Sequence, residues 1–258
     1  MDPTLADDLA LAQELADAAD VITLSRFRAA DLVVETKPDM TPVSEADRLV
    51  EETVRATLSS ARPDDGVVGE EFPDTEGGSG RRWIVDPIDG TKGYVRGIPV
   101  YATLIALESE GDMVVGLASA PALGRRWWAT RGGGAFRDGE PIRVSGVGAV
   151  EDAHLTYDSV SAFDAAGLGE QFLALTRRCW RSRGFGDFWQ FTLVAEGAVD
   201  IALEPAGLKI WDLAPLLVIV QEAGGRFTDL AGEVRADSGS ALATNGLLHD
   251  DVLASMRA

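Results

Sequence analysis

Cysteine and histidine are nearly absent from this chain of 258 residues. Cys179 is the only cysteine, which excludes an internal disulfide and a cysteine-based metal cluster. His154 and His249 are the only histidines, which disfavours a zinc site or a catalytic triad built on imidazole. Any metal or acid–base chemistry must therefore rest mainly on carboxylates and hydroxyls.

Positive charge is also scarce, with 23 Lys and Arg residues against 42 Asp and Glu and a net charge of -19. This balance argues against nucleic acid and against anionic membranes as partners. It suits solubility at high ionic strength, or a phosphate site whose charge a metal offsets, and the sequence leaves both open. No apolar run approaches the ~20 residues that span a bilayer. The first residues also lack a secretory apolar segment, so we expect a cytoplasmic protein.

Acidic residues at the end of one apolar strand are the most informative feature of the chain. Trp83-Ile84-Val85 predicts a buried strand running into Asp86 and Asp89, with Thr91 two residues further on. Two carboxylates about 4 Å apart repel by roughly 4 kcal/mol at an effective dielectric near 20. A magnesium ion, which prefers oxygen ligands, would remove that repulsion. A solvated Asp-Pro-Gly turn is the alternative.

Three other acids lie at positions where an element begins or ends. The strand predicted over 67–69 leads into Glu70, and Asp47 follows Ser44 by three residues at the start of a predicted helix. Asp212 opens an apolar helix that runs to Glu222. Asp47 and Asp212 both fit ordinary helix N-termini, so each has a structural role as an alternative to a functional one.

The pattern of elements predicts two kinds of architecture in one chain. Helices are predicted over 4–24, 44–58, 172–179, 188–196 and 212–222. Strands are predicted over 33–35, 67–69, 83–91, 100–108, 113–118, 127–129, 135–136, 199–203, 226–228 and 242–244, and a further strand at Trp180. The first half is α+β and the second is α/β. We therefore expect an N-terminal lobe over 1–145 and a C-terminal lobe over 146–258. The glycine run 132–134 lacks the lysine and helix of a phosphate loop, which favours a hairpin.

The motifs together resemble the inositol monophosphatase superfamily of magnesium-dependent phosphatases. The resemblance covers nearly the whole chain and is carried by Lys37…Asp47, Gly69-Glu70-Glu71, Trp83-x-x-Asp86-Pro87-Ile88-Asp89-Gly90-Thr91 and Trp211-Asp212…Glu222-Ala223-Gly224-Gly225. It implies a layered αβαβα sandwich of two packed lobes, with most metal ligands on the first lobe. It also implies a homodimer.

The resemblance implies a role for each matching residue. Glu70, Asp86 and the Ile88 carbonyl would hold one Mg²⁺, and Asp86, Asp89 and Asp212 a second, with a third, weaker ion near Glu70. Thr91, Asp47 and Glu70 would be catalytic, because Thr91 and Asp47 would orient and deprotonate the attacking water. The amides of Gly90 and Thr91 would bind phosphate. Lys37 either balances the charge of the acids or is a surface residue.

Several stretches look like the actinobacterial histidinol-phosphate phosphatases, namely Val95–Val100, Ala120–Trp128, Gly184–Trp189 and Ala243–Asp250. That resemblance implies hydrolysis of L-histidinol phosphate in histidine synthesis. Because this substrate carries an amine and an imidazole, we expect acidic acceptors at Asp187 and Glu204, beside Asp89 and Asp212. Arg183 is a candidate contact to phosphate. For each of these residues a structural pair is the alternative.

Other substrates and one other class of protein stay open. Lys92-Gly93 departs from the inositol branch and looks like the 3'-phosphoadenosine 5'-phosphate phosphatases. Inositol-1-phosphate is a third candidate substrate. A catalytically silent regulator that binds a partner through its acidic surface is the alternative class. The complete set of acids, with Thr91 and Asp47, argues against a silent protein.

Overall fold

The computed structural model describes residues 3–38 and 40–257. The helices are α1 (Pro3–Arg26), α2 (Glu45–Ala61), α3 (Thr91–Val95), α4 (Val160–Ala165), α5 (Gly169–Arg178), α6 (Asp187–Ala195), α7 (Ile210–Glu222) and α8 (His249–Arg257). The strands are β1 (Val34–Thr36), β2 (Pro42–Ser44), β3 (Gly66–Gly69), β4 (Arg81–Asp89), β5 (Ala102–Ser109), β6 (Asp112–Ala120), β7 (Arg125–Thr130), β8 (Gly134–Arg137), β9 (Glu140–Ile142), β10 (His154–Tyr157), β11 (Arg181–Gly184), β12 (Ile201–Glu204), β13 (Arg226–Thr228) and β14 (Ala241–Thr244). No helix in this described part of the chain is long and apolar enough to cross a membrane.

Two sheets form the frame of the described residues. The larger has the strand order β3-β4-β5-β6-β7-β8-β9 and is antiparallel except for the parallel pair β3–β4. The smaller has the order β11-β10-β12-β14-β13, in which β10 runs parallel to both β11 and β12. The carboxyl ends of β10, β11 and β12 therefore meet at one edge of the smaller sheet.

The alternation of apolar residues along β5 explains the layering. Leu104 and Ala106 face the helices α6 and α7, whereas Ile105 and Leu107 face α1 and α2, as expected for a strand buried on both faces. The pair α6 and α7 packs against both sheets, and α5 and α8 cover the far face of the smaller sheet. The result is the layered αβαβα arrangement that the sequence predicts.

Helix α7 is apolar on nearly every side because it lies between the two sheets. It approaches β6 closely at Gly116, where a Cβ atom would overlap the carbonyl oxygen of Pro215 and press on Val218. Glycine at this position lets the helix backbone lie directly on the sheet. The contact sets the height of α7, and with it Asp212 at its start, above the larger sheet.

Most predicted elements are confirmed, with some differences at their ends. The strand predicted at Trp180 is wrong, since β11 begins at Arg181 and Trp180 precedes it. The hairpin at 132–134 is confirmed between β7 and β8, and the amides of Gly132 and Gly134 donate to the Glu222 carboxylate at 2.8 and 2.9 Å. Elements β2, α3, β9, β10, α4 and α8 were not predicted. The division into lobes at residue 145 stays a prediction.

His249 offers a test of stability that is independent of the functional site. Its ring is fully buried, with Nε2 2.9 Å from the Thr228 hydroxyl and Nδ1 3.1 Å from the Thr244 hydroxyl. Burial lowers its pKa to about 4. In the unfolded chain the imidazole has a pKa near ~6.5, so below that pH the unfolded state binds a proton that the folded state excludes. The corresponding stability, about 3 kcal/mol in full, is present above pH ~6.5 and is lost as the pH falls toward 4.

We therefore expect His249→Gln to remove this pH dependence. The free energy of unfolding, measured by urea titration between pH 7 and pH 4.5, should fall more steeply for the original chain than for the variant. Other titrating groups contribute equally to both chains and cancel in the difference. A difference that stays constant with pH would contradict a neutral, buried His249.

Candidate active site

Asp86 and Asp89 both belong to β4, and a bulge brings them together. Residues three apart on a regular strand point to opposite faces. Here Asp86 pairs with Leu104 and Asp89 with Ala102, so β4 has one residue more than β5 between the two pairs. The extra residue turns both carboxylates toward the same side. The prediction of a strand that ends in these two acids is confirmed, although β4 stops at Asp89 and not at Thr91.

Asp212 reaches the same point from the start of α7. Its Oδ2 accepts the backbone N–H of Lys209 at 2.6 Å, so it is also the cap that the sequence suggests. Carboxylate oxygens of Asp86, Asp89 and Asp212 all lie within 4.8 Å of one another. Residues more than 120 positions apart in sequence thus form one group of acids, which we call the acid triad.

Without a cation, the carboxylates of the acid triad repel one another. Burial, followed by the charges of Glu70 and Asp89, raises the pKa of Asp86 well above its ordinary value. Burial, followed by the charges of Asp187 and Asp212, does the same for Asp89. The pKa of Asp212 rises to about 6, mainly through burial. Clustered carboxylates that raise one another's pKa are oxygen donors suited to a hard divalent cation such as Mg²⁺.

Glu70 lies beside the acid triad but is held by a lysine. Its Oε1 is 2.7 Å from Lys37 Nζ, and the same ammonium lies 2.5 Å from Glu71 Oε1. Of the two alternatives for Lys37, charge balance is therefore the one observed. Glu70 remains close enough for its charge to raise the pKa of Asp86, Asp47 and Asp212.

Glu51 is a residue that the sequence reasoning missed. It is fully buried on α2, and its Oε2 accepts the backbone N–H of Glu71 at 2.8 Å. A Cβ on Gly69 would overlap this carboxylate, so glycine is needed there. Glu51 Oε1 also pairs with Arg55 Nε at 2.8 Å. The two residues are four positions apart on the helix, a spacing typical of exposed ion pairs, so the sequence did not indicate that Glu51 is buried. It anchors the segment that carries Glu70.

Thr91 and Asp47 meet as predicted. The Thr91 hydroxyl is 2.8 Å from the Ile88 carbonyl oxygen and 3.3 Å from Asp47 Oδ1. Asp47 Oδ2 accepts the backbone N–H and the hydroxyl of Ser44 at 2.8 and 2.6 Å. Asp47 therefore caps α2 and contacts Thr91 with different oxygens. Burial raises its pKa, with the charge of Glu70 adding to the effect.

Gly90 precedes α3 with a φ of 84°, a left-handed conformation that favours glycine. A Cβ here would lie 3.2 Å from Asp187 Oδ2, so Asp187 borders the turn between Asp89 and Thr91. Asp187 itself has a φ of 47° at the start of α6. Although solvent reaches its side chain, surrounding protein atoms, with the charge of Asp158, raise its pKa to about 6.

Glu204 is 5% exposed at the end of β12, where it accepts a 2.5 Å hydrogen bond from the side-chain amide of Gln190. Burial raises its pKa to about 8. Arg183 is different. It is exposed on β11 and its guanidinium donates to the carbonyl of its neighbour Ser182 at 2.8 Å. The structure thus places Asp187 next to the acid triad and Glu204 near Asp187, and it does not bring Arg183 into contact with them.

Comparison with known proteins agrees with this geometry. The model of the inositol monophosphatase family matches residues 5–258. The crystal structure of extragenic suppressor protein suhB from Bartonella henselae superposes with a TM-score of 0.90 at 30% identity, covering 97% of this chain and 98% of that one. The chain therefore belongs to the inositol monophosphatase family.

Two curated relatives carry a more particular name. Histidinol-phosphatase of Mycobacterium tuberculosis is 55% identical over 257 residues, which cover 98% of each chain. Histidinol-phosphatase of Streptomyces coelicolor is 54% identical over 260 residues, which cover 97% of each chain. Both alignments extend over all the acids described above, from Asp47 to Asp212.

Proposed function

We propose that this chain is a magnesium-dependent phosphomonoesterase that hydrolyses L-histidinol phosphate to L-histidinol and phosphate, a step of histidine synthesis. The observation that carries the proposal is the acid triad lying beside a second set of acids, Asp187 and Glu204. The first set suits a metal-bound phosphoryl group, and the second suits a substrate with a cationic end. The names of the two relatives support the same substrate.

The acids divide into two overlapping ligand sets in this proposal. Glu70, Asp86 and the Ile88 carbonyl would hold one Mg²⁺, and Asp86, Asp89 and Asp212 another, with a weaker third ion near Glu70. Bound magnesium would supply Lewis acidity, which lowers the pKa of water and neutralises the phosphoryl oxygens. Lys37 pairs with Oε1 of Glu70, so Oε2 would be the oxygen that binds the metal ion.

The proton of the attacking water has an acceptor in Thr91. The single hydroxyl hydrogen of Thr91 can turn from the Ile88 carbonyl, 2.8 Å away, to Asp47 Oδ1, 3.3 Å away. The hydroxyl oxygen can then accept a proton from water as it passes its own to Asp47. The raised pKa of Asp47 makes its carboxylate a stronger base than an exposed one. The amides of Gly90 and Thr91, at the turn before α3, would bind phosphoryl oxygens.

Asp187 and Glu204 are the proposed acceptors for the amine and the imidazole of the substrate. Asp187 borders Gly90, so it lies on the side of the turn where the leaving alcohol would project. We assign no contact with the phosphate to Arg183, whose guanidinium bonds Ser182. We further propose that the enzyme is a cytoplasmic homodimer.

The test is phosphate release with Mg²⁺ from L-histidinol phosphate, inositol-1-phosphate and 3'-phosphoadenosine 5'-phosphate, measured in parallel. We expect kcat/KM for L-histidinol phosphate to exceed the others by about 100-fold or more, because the carboxylates of Asp187 and Glu204 favour a cationic leaving group over a neutral or anionic one. Equal or higher values for another substrate would reassign the specificity. No release from any of them would favour a silent acidic regulator.

A further inference from the structure

Asp158 is a third carboxylate in the substrate region, and the sequence reasoning did not single it out. It follows β10 directly, as Glu204 ends β12, and these strands are parallel neighbours with Tyr157 paired to Leu203. The next residue on each strand is therefore an acid, and the two lie side by side at the carboxyl edge of the smaller sheet. The backbone amide of Asp158 is close enough to the Glu204 carboxylate to oppose the rise of its pKa.

The Asp158 carboxylate lies against the backbone of the Asp187 turn. A Cβ on Gly186 would be 2.6 Å from Asp158 Oδ1, so glycine makes room for the carboxylate there. The charge of Asp158 acts on both Asp187 and Glu204. Four residues therefore follow one another in space next to the acid triad, in the order Gly90, Asp187, Asp158 and Glu204.

No ion pair joins a lysine or arginine to Asp158, Asp187 or Glu204 within the described residues. A buried acceptor beside them is also unused. Gln190 is 1% exposed, and although its amide nitrogen donates to Glu204, its Oε1 has no hydrogen-bond partner. Leaving such a buried acceptor unpaired is energetically unfavourable. Two acids that are open to solvent, Asp158 and Asp187, thus lie beside the buried Glu204 and an unpaired carbonyl oxygen, and all four are acceptors that suit a cation with N–H donors.

We propose that Asp158 is a specificity-determining residue that, together with Gln190 and beside the charge of Glu204, receives the imidazole of the substrate, while Asp187 receives its ammonium group. This inference rests on the proposed function. Two carbons separate the phosphate ester oxygen from the ammonium nitrogen of L-histidinol phosphate, which matches the position of Asp187 next to Gly90. The imidazole is one carbon further along and falls toward Asp158. A protonated imidazole offers two N–H donors, one for each acceptor.

The experiment compares Asp158→Asn with the original chain on L-histidinol phosphate and on inositol-1-phosphate. We expect the ratio of the two kcat/KM values to fall about 10- to 100-fold, mainly through a higher KM for L-histidinol phosphate. Inhibition by L-histidinol should weaken by a similar factor, whereas inhibition by inorganic phosphate should not. Asp152→Asn, an exposed change of the same charge in the preceding segment, is the matched control and should leave the ratio unchanged.

The outcomes separate the two proposals. If the original chain does not prefer L-histidinol phosphate, the proposed function fails before the variant is considered. If it does, an unchanged ratio and unchanged L-histidinol inhibition in Asp158→Asn overturn only this inference. Equal losses on both substrates would assign Asp158 a structural role, which circular dichroism and Tm would report. Asp158→Glu, which restores the charge, should recover part of the preference.

Discussion

Asp86→Asn is expected to lower kcat for L-histidinol phosphate by about 1000-fold or more, because it removes a charge shared by both proposed ligand sets. Asparagine keeps an oxygen that can accept the Ile88 N–H, which donates to Asp86 Oδ1 at 3.0 Å. The bulge of β4 should therefore survive, and the loss of turnover would report the charge. Steady-state phosphate release over a range of Mg²⁺ concentrations measures it, with Asp152→Asn as the control. Undiminished turnover would refute the proposed metal site.

The Asp86→Asn variant should be more stable than the original chain in thermal unfolding without metal. Asp86 is buried among like charges that raise its pKa, so removing its charge relieves repulsion. We expect Tm without Mg²⁺ to rise by about 2–4 °C for each kcal/mol of repulsion removed. Added Mg²⁺ should raise Tm of the original chain through binding and have little effect on the variant. A Tm that falls without metal would show that Asp86 is mainly structural.

Thr91→Val is expected to lower kcat by about 100- to 10,000-fold with a much smaller change in KM, because it removes the hydroxyl that would take the proton of water. Valine keeps the shape of the side chain. Its cost to stability should be about 1 kcal/mol, the loss of the 2.8 Å hydrogen bond to the Ile88 carbonyl. Single-turnover phosphate release separates the chemical step from binding.

Thr91→Ser supplies the matched comparison, since it restores the hydroxyl and removes only a methyl group. It should recover most of the lost rate. If Thr91→Val retained a tenth or more of the original kcat, the link from Thr91 to Asp47 would not carry the proton. The capping bonds from Ser44 reach the other oxygen of Asp47 and should persist in both variants.

The acids of the candidate site were predictable from sequence wherever they began or ended an apolar run. Asp86 and Asp89 follow the buried residues of β4, and Asp212 opens an apolar helix. The bulge between Asp86 and Asp89 was not predictable, because it is defined by pairing with β5, and no local pattern records which residues face a partner strand.

The residues that were missed or left open depend on contacts between distant segments. Lys37 meets Glu70 across 33 positions, and nothing in its neighbourhood distinguishes it from a surface lysine. Asp158 follows Leu155-Thr156-Tyr157, a short β-prone run ending in an acid, which is the same signal that identified Asp86. That run was too short to be recognised as β10. Glu51 gave a misleading signal, because its spacing to Arg55 is that of an exposed pair.

Gly116 has a consequence for how the proposed metal site can change. Because Pro215 packs directly on this glycine, the contact between two backbones sets the distance between Asp212 and the two aspartates of β4. The geometry of the acid triad therefore depends on how α7 packs on the larger sheet. A chain could therefore alter its metal affinity through a single methyl group in the core while every ligand stays the same.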